Sequence, residues 1–272
     1  MSLRQEYGGV VLEWGVVTDA GRRRPLNEDH YVASVPVFVV ADGMGGRDAG
    51  EIASAATVAA LGTLVERAVV SRKDVESVLD AAHDEVRRIE TRPGRGAGTT
   101  ATGVVVVPGK LGPRWLVVNV GDSRTYLHAQ GRLERVTVDH SEVQELVDAG
   151  LITRAQARTH PRRHVITRAI GAPWAPRPDF WWLPVEAGDR VLVCSDGLTG
   201  EVDDDEIARV LGDEPDAQVA AATLVEAALR AGGRDNITVV VVDAVTVDGA
   251  DGSHRDEDTR PRPAGARPED VQ

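Results

Sequence analysis

The chain has 272 residues, 42% of them hydrophobic and 27% charged, with a formal net charge of −12. That length suits one large globular domain or at most two smaller ones. The acidic balance argues against a nucleic-acid-binding body, because a phosphate backbone rewards a basic surface. No apolar run reaches the roughly 18 residues of a membrane span, and the N-terminus lacks an apolar leader core. A soluble, cytoplasmic, monomeric protein with no membrane partner is expected. One cysteine permits no internal disulfide, which fits a reducing compartment.

In chain order, Val10 to Thr18 reads as a strand and Asp19 to Asp29 as a polar loop holding three arginines and Asn27-Glu28-Asp29. Tyr31 to Val40 predicts a second strand that leads into Asp42 and a glycine cluster, Gly43, Gly45 and Gly46. Such glycines allow positive φ and let backbone carbonyls approach a ligand. Helical spacing predicts helices over Ala49 to Val70 and Asp74 to Ile89. A Gly/Pro/Arg loop, Thr91 to Gly98, opens on a strand from Thr99 to Val107, and Trp115 to Val120 forms another, closed by Gly121-Asp122-Ser123-Arg124. Thr125 to His128 and Leu133 to Val138 read as a hairpin about Gln130-Gly131. Ser141 caps a short helix ending at Gly150. Thr153 to Ile170 is basic in an acidic chain: it holds Arg154, Arg158, Arg162, Arg163 and Arg168 and no acid. Asp179 to Pro184 and Arg190 to Cys194 are strands, the second ending in Ser195-Asp196-Gly197. Acids at 203–206 open a helix, Ala217 to Ala231 forms a long one, and Asp235-Asn236 precedes a last strand, Ile237 to Val242. From residue 248 to 272 the composition predicts a disordered tail. Strands, then helices, then strands again argue an α+β layered domain rather than regular βαβ alternation.

Asp42, Asp122 and Asp196 each follow an apolar run, and Asp235 precedes one. Strand ends on one edge of a sheet can converge although they are far apart in sequence. Converging carboxylates repel one another and raise each other's pKa unless cations neutralise them. Oxygen-only ligation points to magnesium or manganese rather than zinc. Two such ions would activate water near neutral pH and clamp phosphoryl oxygens during in-line displacement. An arginine would then be wanted to hold the remaining oxygens.

These residues carry a resemblance. The ordered set is Thr18 to Arg24 with Asn27-Glu28-Asp29, Ala41 to Gly46, Gly98-Thr99-Thr100, Gly121 to Arg124, Ser195 to Leu198, and Asp235-Asn236. In that order it resembles the protein phosphatase 2C (PPM) family of metal-dependent serine/threonine phosphatases, in its compact bacterial form. The likeness runs from about Val11 to Asp243, within an expected phosphatase domain of residues 8–247, and implies two packed antiparallel β-sheets flanked by helices on both sides. It implies two Mn2+ or Mg2+ ions bridged by Asp42, a metal contact from the Gly43 carbonyl, and Asp196 and Asp235 as further ligands. Glu28 matches an acid acting through water, and Asp29 one that stands behind the ligands. Asp122 matches a ligand of a third, weaker ion, and Arg24 the phosphate-binding arginine. The implied activity is hydrolysis of phosphoserine and phosphothreonine by a hydroxide bridging two metals. The implied partners are phosphorylated proteins, serine/threonine kinases and their substrates. Two other readings stay open. One is a non-catalytic phosphoprotein-binding scaffold, against which the intact Asp42, Asp196 and Asp235 argue. The other is a phosphatase dedicated to one partner, such as an anti-sigma factor antagonist.

Two departures from the family pattern stand out. Met44 occupies the position of a histidine proposed as general acid in some members. In the flap, Thr153 to Ile170, His164 stands where relatives offer a small hydroxyl to the third ion. Arg162 and Arg163 there are expected to lie near the acidic centre and to draw phosphoprotein by charge. Cys194 is expected in the core, Ser123 to be structural, His140 and His160 to be loop residues, and Trp174, Trp181 and Trp182 to pack.

Overall fold

The computed structural model describes residues 2–45, 49–65, 67–90 and 96–248. Its strands, in chain order, are β1 (Leu3–Tyr7), β2 (Val10–Asp19), β3 (Asp29–Ser34), β4 (Val37–Met44), β5 (Gly98–Thr99), β6 (Ala101–Val107), β7 (Arg114–Val120), β8 (Arg124–Ala129), β9 (Arg132–Arg135), β10 (Asp179–Pro184), β11 (Arg190–Cys194) and β12 (Ile237–Val247). Its helices are α1 (Ala49–Gly62), α2 (Arg72–Val86), α3 (Glu142–Asp148), α4 (Arg154–Ala157), α5 (Asp196–Thr199), α6 (Asp204–Asp213) and α7 (Ala217–Ala231).

The alternation within β4 sets the layers. Phe38 and Val40 face one way, Val37 and Val39 the other, and all are buried. A strand apolar on both faces needs a layer on each side. One sheet runs β1-β2-β12-β11-β8-β9 and the other β10-β7-β6-β4-β3, with β5 paired to the end of β4. The pairings between these strands are antiparallel. Leu12, Trp14, Phe38, Val117, Val193 and Val240 fill the space between the sheets. Helices α1 and α2 cover the second sheet through Leu61, Leu79, Val105 and Val118. Helices α6 and α7 cover the first through Ile207, Leu224, Leu192 and Val241. The expected α-β-β-α sandwich is what the chain forms. No helix among the described residues is long and apolar enough to cross a membrane.

Several expectations shift. Tyr31 to Val40 is not one strand: the chain reverses at Val35-Pro36, a cis peptide, so β3 and β4 form a hairpin. Pro36 has no N–H for a ladder, and the apolar residues around it concealed the turn. The helix expected to reach Val70 ends at Gly62, where glycine's low helix propensity gives way to turns. The one expected to reach Ile89 ends at Val86. The strand expected from Thr99 is interrupted at Thr100. The last strand continues past Val242 to Val247 against β2, through a bulge between Ala244 and Thr246. β1, too polar and exposed to show a pattern, lies ahead of residue 8 and pairs with β2, helped by an Arg4–Glu13 contact of 2.5 Å. The expected tail lies outside the described residues, apart from Asp248, whose N–H bonds the Gly9 carbonyl.

The contact between α7 and β2 leaves no room. The Gln218 side-chain amide bonds both the N–H and the C=O of Val16, at 3.1 Å each. A Cβ built on Gly15 would stand 2.2 Å from the Gln218 Cα. Gly15→Ala should therefore cost about 2 kcal/mol or more in overpacking, read by urea denaturation. A change below about 0.5 kcal/mol would contradict this packing.

Candidate metal centre

The antiparallel register places Asp29, first in β3, directly opposite Asp42 near the end of β4. Both sit where the hairpin opens toward the ends of β11 and β12. Asp196 opens α5 immediately after β11, and Asp235 immediately precedes Asn236 and β12. Asp122 follows β7. Four acids thus act electrostatically on Asp42: Asp29, Asp196, Asp122 and Asp235. Burial pushes the Asp42 carboxyl well above the ordinary carboxylate range, and those neighbours push it further. Asp122 is also driven well up, first by burial and then by Asp196 and Asp139, with Arg124 opposing. Burial raises Glu28 too, and Arg24 offsets part of that.

Hydrogen bonds hold these acids together against their repulsion. Asp42 is fixed through its backbone. Its N–H donates to the Thr100 hydroxyl at 2.9 Å, and its carbonyl accepts from the Thr99 hydroxyl and the Thr100 N–H, each at 2.9 Å. The Thr100 hydroxyl also shares a 2.8 Å bond with Ser123, which ties the Asp42 strand to the Asp122 turn. Ser123 is structural, as expected. Asp29 accepts from the hydroxyls of Ser195 and Thr238, both at 2.8 Å. The side-chain amide of Asn236 donates to the carbonyls of Ala20 and Leu26, while its oxygen accepts from the Glu28 N–H. This anchors the polar loop 20–28 beside Asp235. A Cβ on Gly43 would meet the Gly50 carbonyl oxygen at 2.3 Å and that of Glu28 at 2.5 Å. Only a glycine lets β4, the start of α1 and the Glu28 backbone meet there.

Arg24 reaches the centre and pairs with Asp235 at 2.7 Å, half-exposed, with Glu28 and Asp42 also in its field. In the flap, His164 Nδ1 stands 3.8 Å from Asp196. Arg162 is paired with Glu142 at 2.5 Å, so it does not offer a free charge as expected. Arg163 is exposed and lines a cleft that also contains Asp122 and Asp196. His140 is more than a loop residue. It is buried, its Nδ1 accepts from the Gly121 N–H at 3.1 Å, and its Nε2 meets Asp179 at 3.1 Å. His160 is a loop residue, as expected. Cys194 is buried, its thiol pushed up to about 12 by burial, and is a core residue as expected. Trp181 and Trp182 pack, but Trp174 is 63% exposed. Gly46 lies outside the described residues. Sequence reasoning assigned no role to Asn236, Thr238, Thr100 or Ser195; the motif residues beside the acids were the only signal.

The donor set suits hard cations. One oxygen of Asp29 and one of Asp122 are buried without a hydrogen-bond partner. Among the described residues, no three His, Cys, Asp or Glu side chains are gathered closely enough to hold an ion unaided. Carboxylate and carbonyl oxygens are the donors that magnesium and manganese prefer.

A protein phosphatase 2C family model matches residues 25–231. The serine/threonine protein phosphatase PstP of Mycobacterium tuberculosis is 40% identical over 245 residues, covering 88% of this chain and 46% of PstP. The chain thus spans about half the length of that relative. Protein phosphatase PhpP of Streptococcus pneumoniae is 34% identical over 242 residues, covering 85% of this chain and 97% of PhpP. The solved catalytic domain of PstP, in complex with two manganese ions, superposes with a TM-score of 0.76 at 36% identity, over 86% of this chain and 99% of that one. The chain belongs to the protein phosphatase 2C family.

Asp29 makes a pH test possible. Burial raises its carboxyl to about 7, with the hydroxyls of Ser195 and Thr238 holding it down. Between about pH 4 and 7 the folded protein keeps a proton that the unfolded chain releases, so stability falls as pH rises through that window. In chelator, the thermal midpoint should drop from pH 5 to 7.5, and Asp29→Asn should lessen the drop, with Asp42 and Asp122 carrying the remainder. A midpoint that rises over that range would contradict the burial of this acid.

Proposed function

We propose that the chain is a metal-dependent phosphoprotein phosphatase that hydrolyses phosphoserine and phosphothreonine. The observation that carries this reading is the gathering of Asp29, Asp122, Asp196 and Asp235 about Asp42, with half-exposed Arg24 paired to Asp235. The manganese pair in PstP and the serine/threonine phosphatase names of the relatives support it.

In this reading Asp42, the Gly43 carbonyl, Asp196 and Asp235 would hold two Mn2+ or Mg2+ ions. Glu28 acts through water, Asp29 stands behind the ligands, and Asp122 serves a third, weaker ion. When bound, such ions supply positive charge at the phosphoryl group and acidify water there. The rest falls to the protein. Asp42 must ionise to take up a cation, so uptake releases protons. Arg24 donates through one nitrogen to Asp235, which leaves further guanidinium N–H groups to hold phosphoryl oxygens. Water attacks phosphorus in line, and the serine or threonine oxygen departs. Met44 has no proton to give, so that oxygen is protonated by water or by another side chain.

The working unit is residues 8–247, with β1 added at the sheet edge. Its partners would be serine/threonine kinases and their phosphorylated substrates in the same cytoplasm, met by a monomer.

Hydrolysis of p-nitrophenyl phosphate tests the assignment. Activity should require added manganese, vanish in EDTA, and fall at least about a hundredfold in Asp42→Ala. Arg24→Ala should act mainly on KM, raising it about tenfold through the lost charge-assisted contact. Turnover surviving both EDTA and Asp42→Ala would overturn the mechanism.

A further inference from the structure

A cleft of about 550 Å3 runs from Asp122 and Asp196 to the underside of the flap. Its size is that of a site for a small ligand or a short stretch of peptide. Leu133, Val143 and Val147 give it an apolar floor, and Arg154, Arg158 and Arg163 stand along the flap side.

The cleft is lined by the carboxylates of Asp122, Glu134, Asp139, Asp196 and Asp204 as well as by arginines, so anion selection falls to the flap wall, and its cations are not equally available. Arg124 and Arg135 also line it, but both are committed to Asp139, at 2.7 and 3.4 Å. Arg162, just outside, is committed to Glu142. Arg154 and Arg158 are exposed, and among the described residues no carboxylate pairs with either. The only bond of the Arg163 guanidinium among the described residues is a 3.4 Å contact with the His160 carbonyl. Arg154 opens α4 and Arg158 caps its C-terminal end, one helical turn apart, so their heads project to one side. In a chain of net charge −12, three uncommitted cations line one wall of a groove that leads away from the acid centre.

Resting on the phosphatase reading above, we propose that this cleft receives the substrate peptide on one side of its phosphoresidue and selects anionic side chains there. With the phosphoryl group at Asp42 and Arg24, the neighbouring residues on one flank enter beneath the flap. The apolar floor takes the stems of their side chains, and the three arginines face the charged ends. The anion can be an aspartate or glutamate carboxylate or a second phosphate, which guanidinium recognises with the same fork. Each exposed pair contributes little, but three acting together shift affinity measurably.

The test uses phosphoserine peptides that carry two glutamates before the phosphoresidue, two after it, or alanines at both places. A fourth peptide carries a second phosphoserine on the preferred flank. kcat/KM is measured with manganese, and p-nitrophenyl phosphate is run alongside. Kd is read by fluorescence anisotropy on labelled peptides bearing a non-hydrolysable phosphonate. Acids on one flank should improve kcat/KM and Kd about tenfold over alanine, and 0.5 M salt should erode the gain. Arg154→Ala/Arg158→Ala/Arg163→Ala should bring the ratio below about twofold. The fourth peptide shows whether carboxylate or phosphate is preferred. Equal ratios for both flanks, no preference at all, or a preference that survives the triple substitution would each overturn the proposal. Failure to turn over p-nitrophenyl phosphate would count against the phosphatase reading instead, while the anisotropy ratios would still decide the cleft.

Discussion

Asp42 shares its surroundings with Asp29, Asp122, Asp196 and Asp235, and the rest of the fold must hold those acids together against their repulsion. Burial raises the energy of each ionised form, and every neighbour adds to it. No sequence would keep such a cluster for stability. It persists because hard cations or retained protons relieve it, and cations are the partner that also does chemistry.

The containment is spread over both sheets. One sheet supplies Asp29 and Asp42 from a single hairpin, and the other supplies Ser195 and Thr238, which reach across to Asp29. Asn236 fastens the arginine-bearing loop, and Thr100 fastens the Asp42 backbone and the Asp122 turn together. These bonds join segments far apart in the chain, so the centre exists only in the folded sandwich. The packing of α7 on β2 therefore bears on the site from a distance, and that of α1 on β4 meets it at Gly43.

Much of this was legible in the residues. Apolar runs that stop at an aspartate marked the strand ends, and oxygen-only donors marked the class of cation. The strands Asp179–Pro184 and Arg190–Cys194 and the helix Ala217–Ala231 followed from periodicity and punctuation alone. The hairpin at Pro36 did not, because apolar residues on both sides of the turn look like one buried strand. Nor did the roles of Ser195 and Thr238, since a hydroxyl's partner lies across the sandwich and leaves no local pattern. The flap was legible as a basic segment. Which of its arginines are committed depends on Glu142, which belongs to the neighbouring α3. Polarity concealed β1 in the same way.

The central claim is that these acids hold two hard cations. Equilibrium titration with manganese, following the free ion by its electron paramagnetic resonance signal, tests it most directly. Two ions should bind per chain with release of protons, a third more weakly, and Asp42→Asn should abolish the tight pair. No saturable uptake below millimolar manganese, or uptake unchanged in Asp42→Asn, would contradict the account.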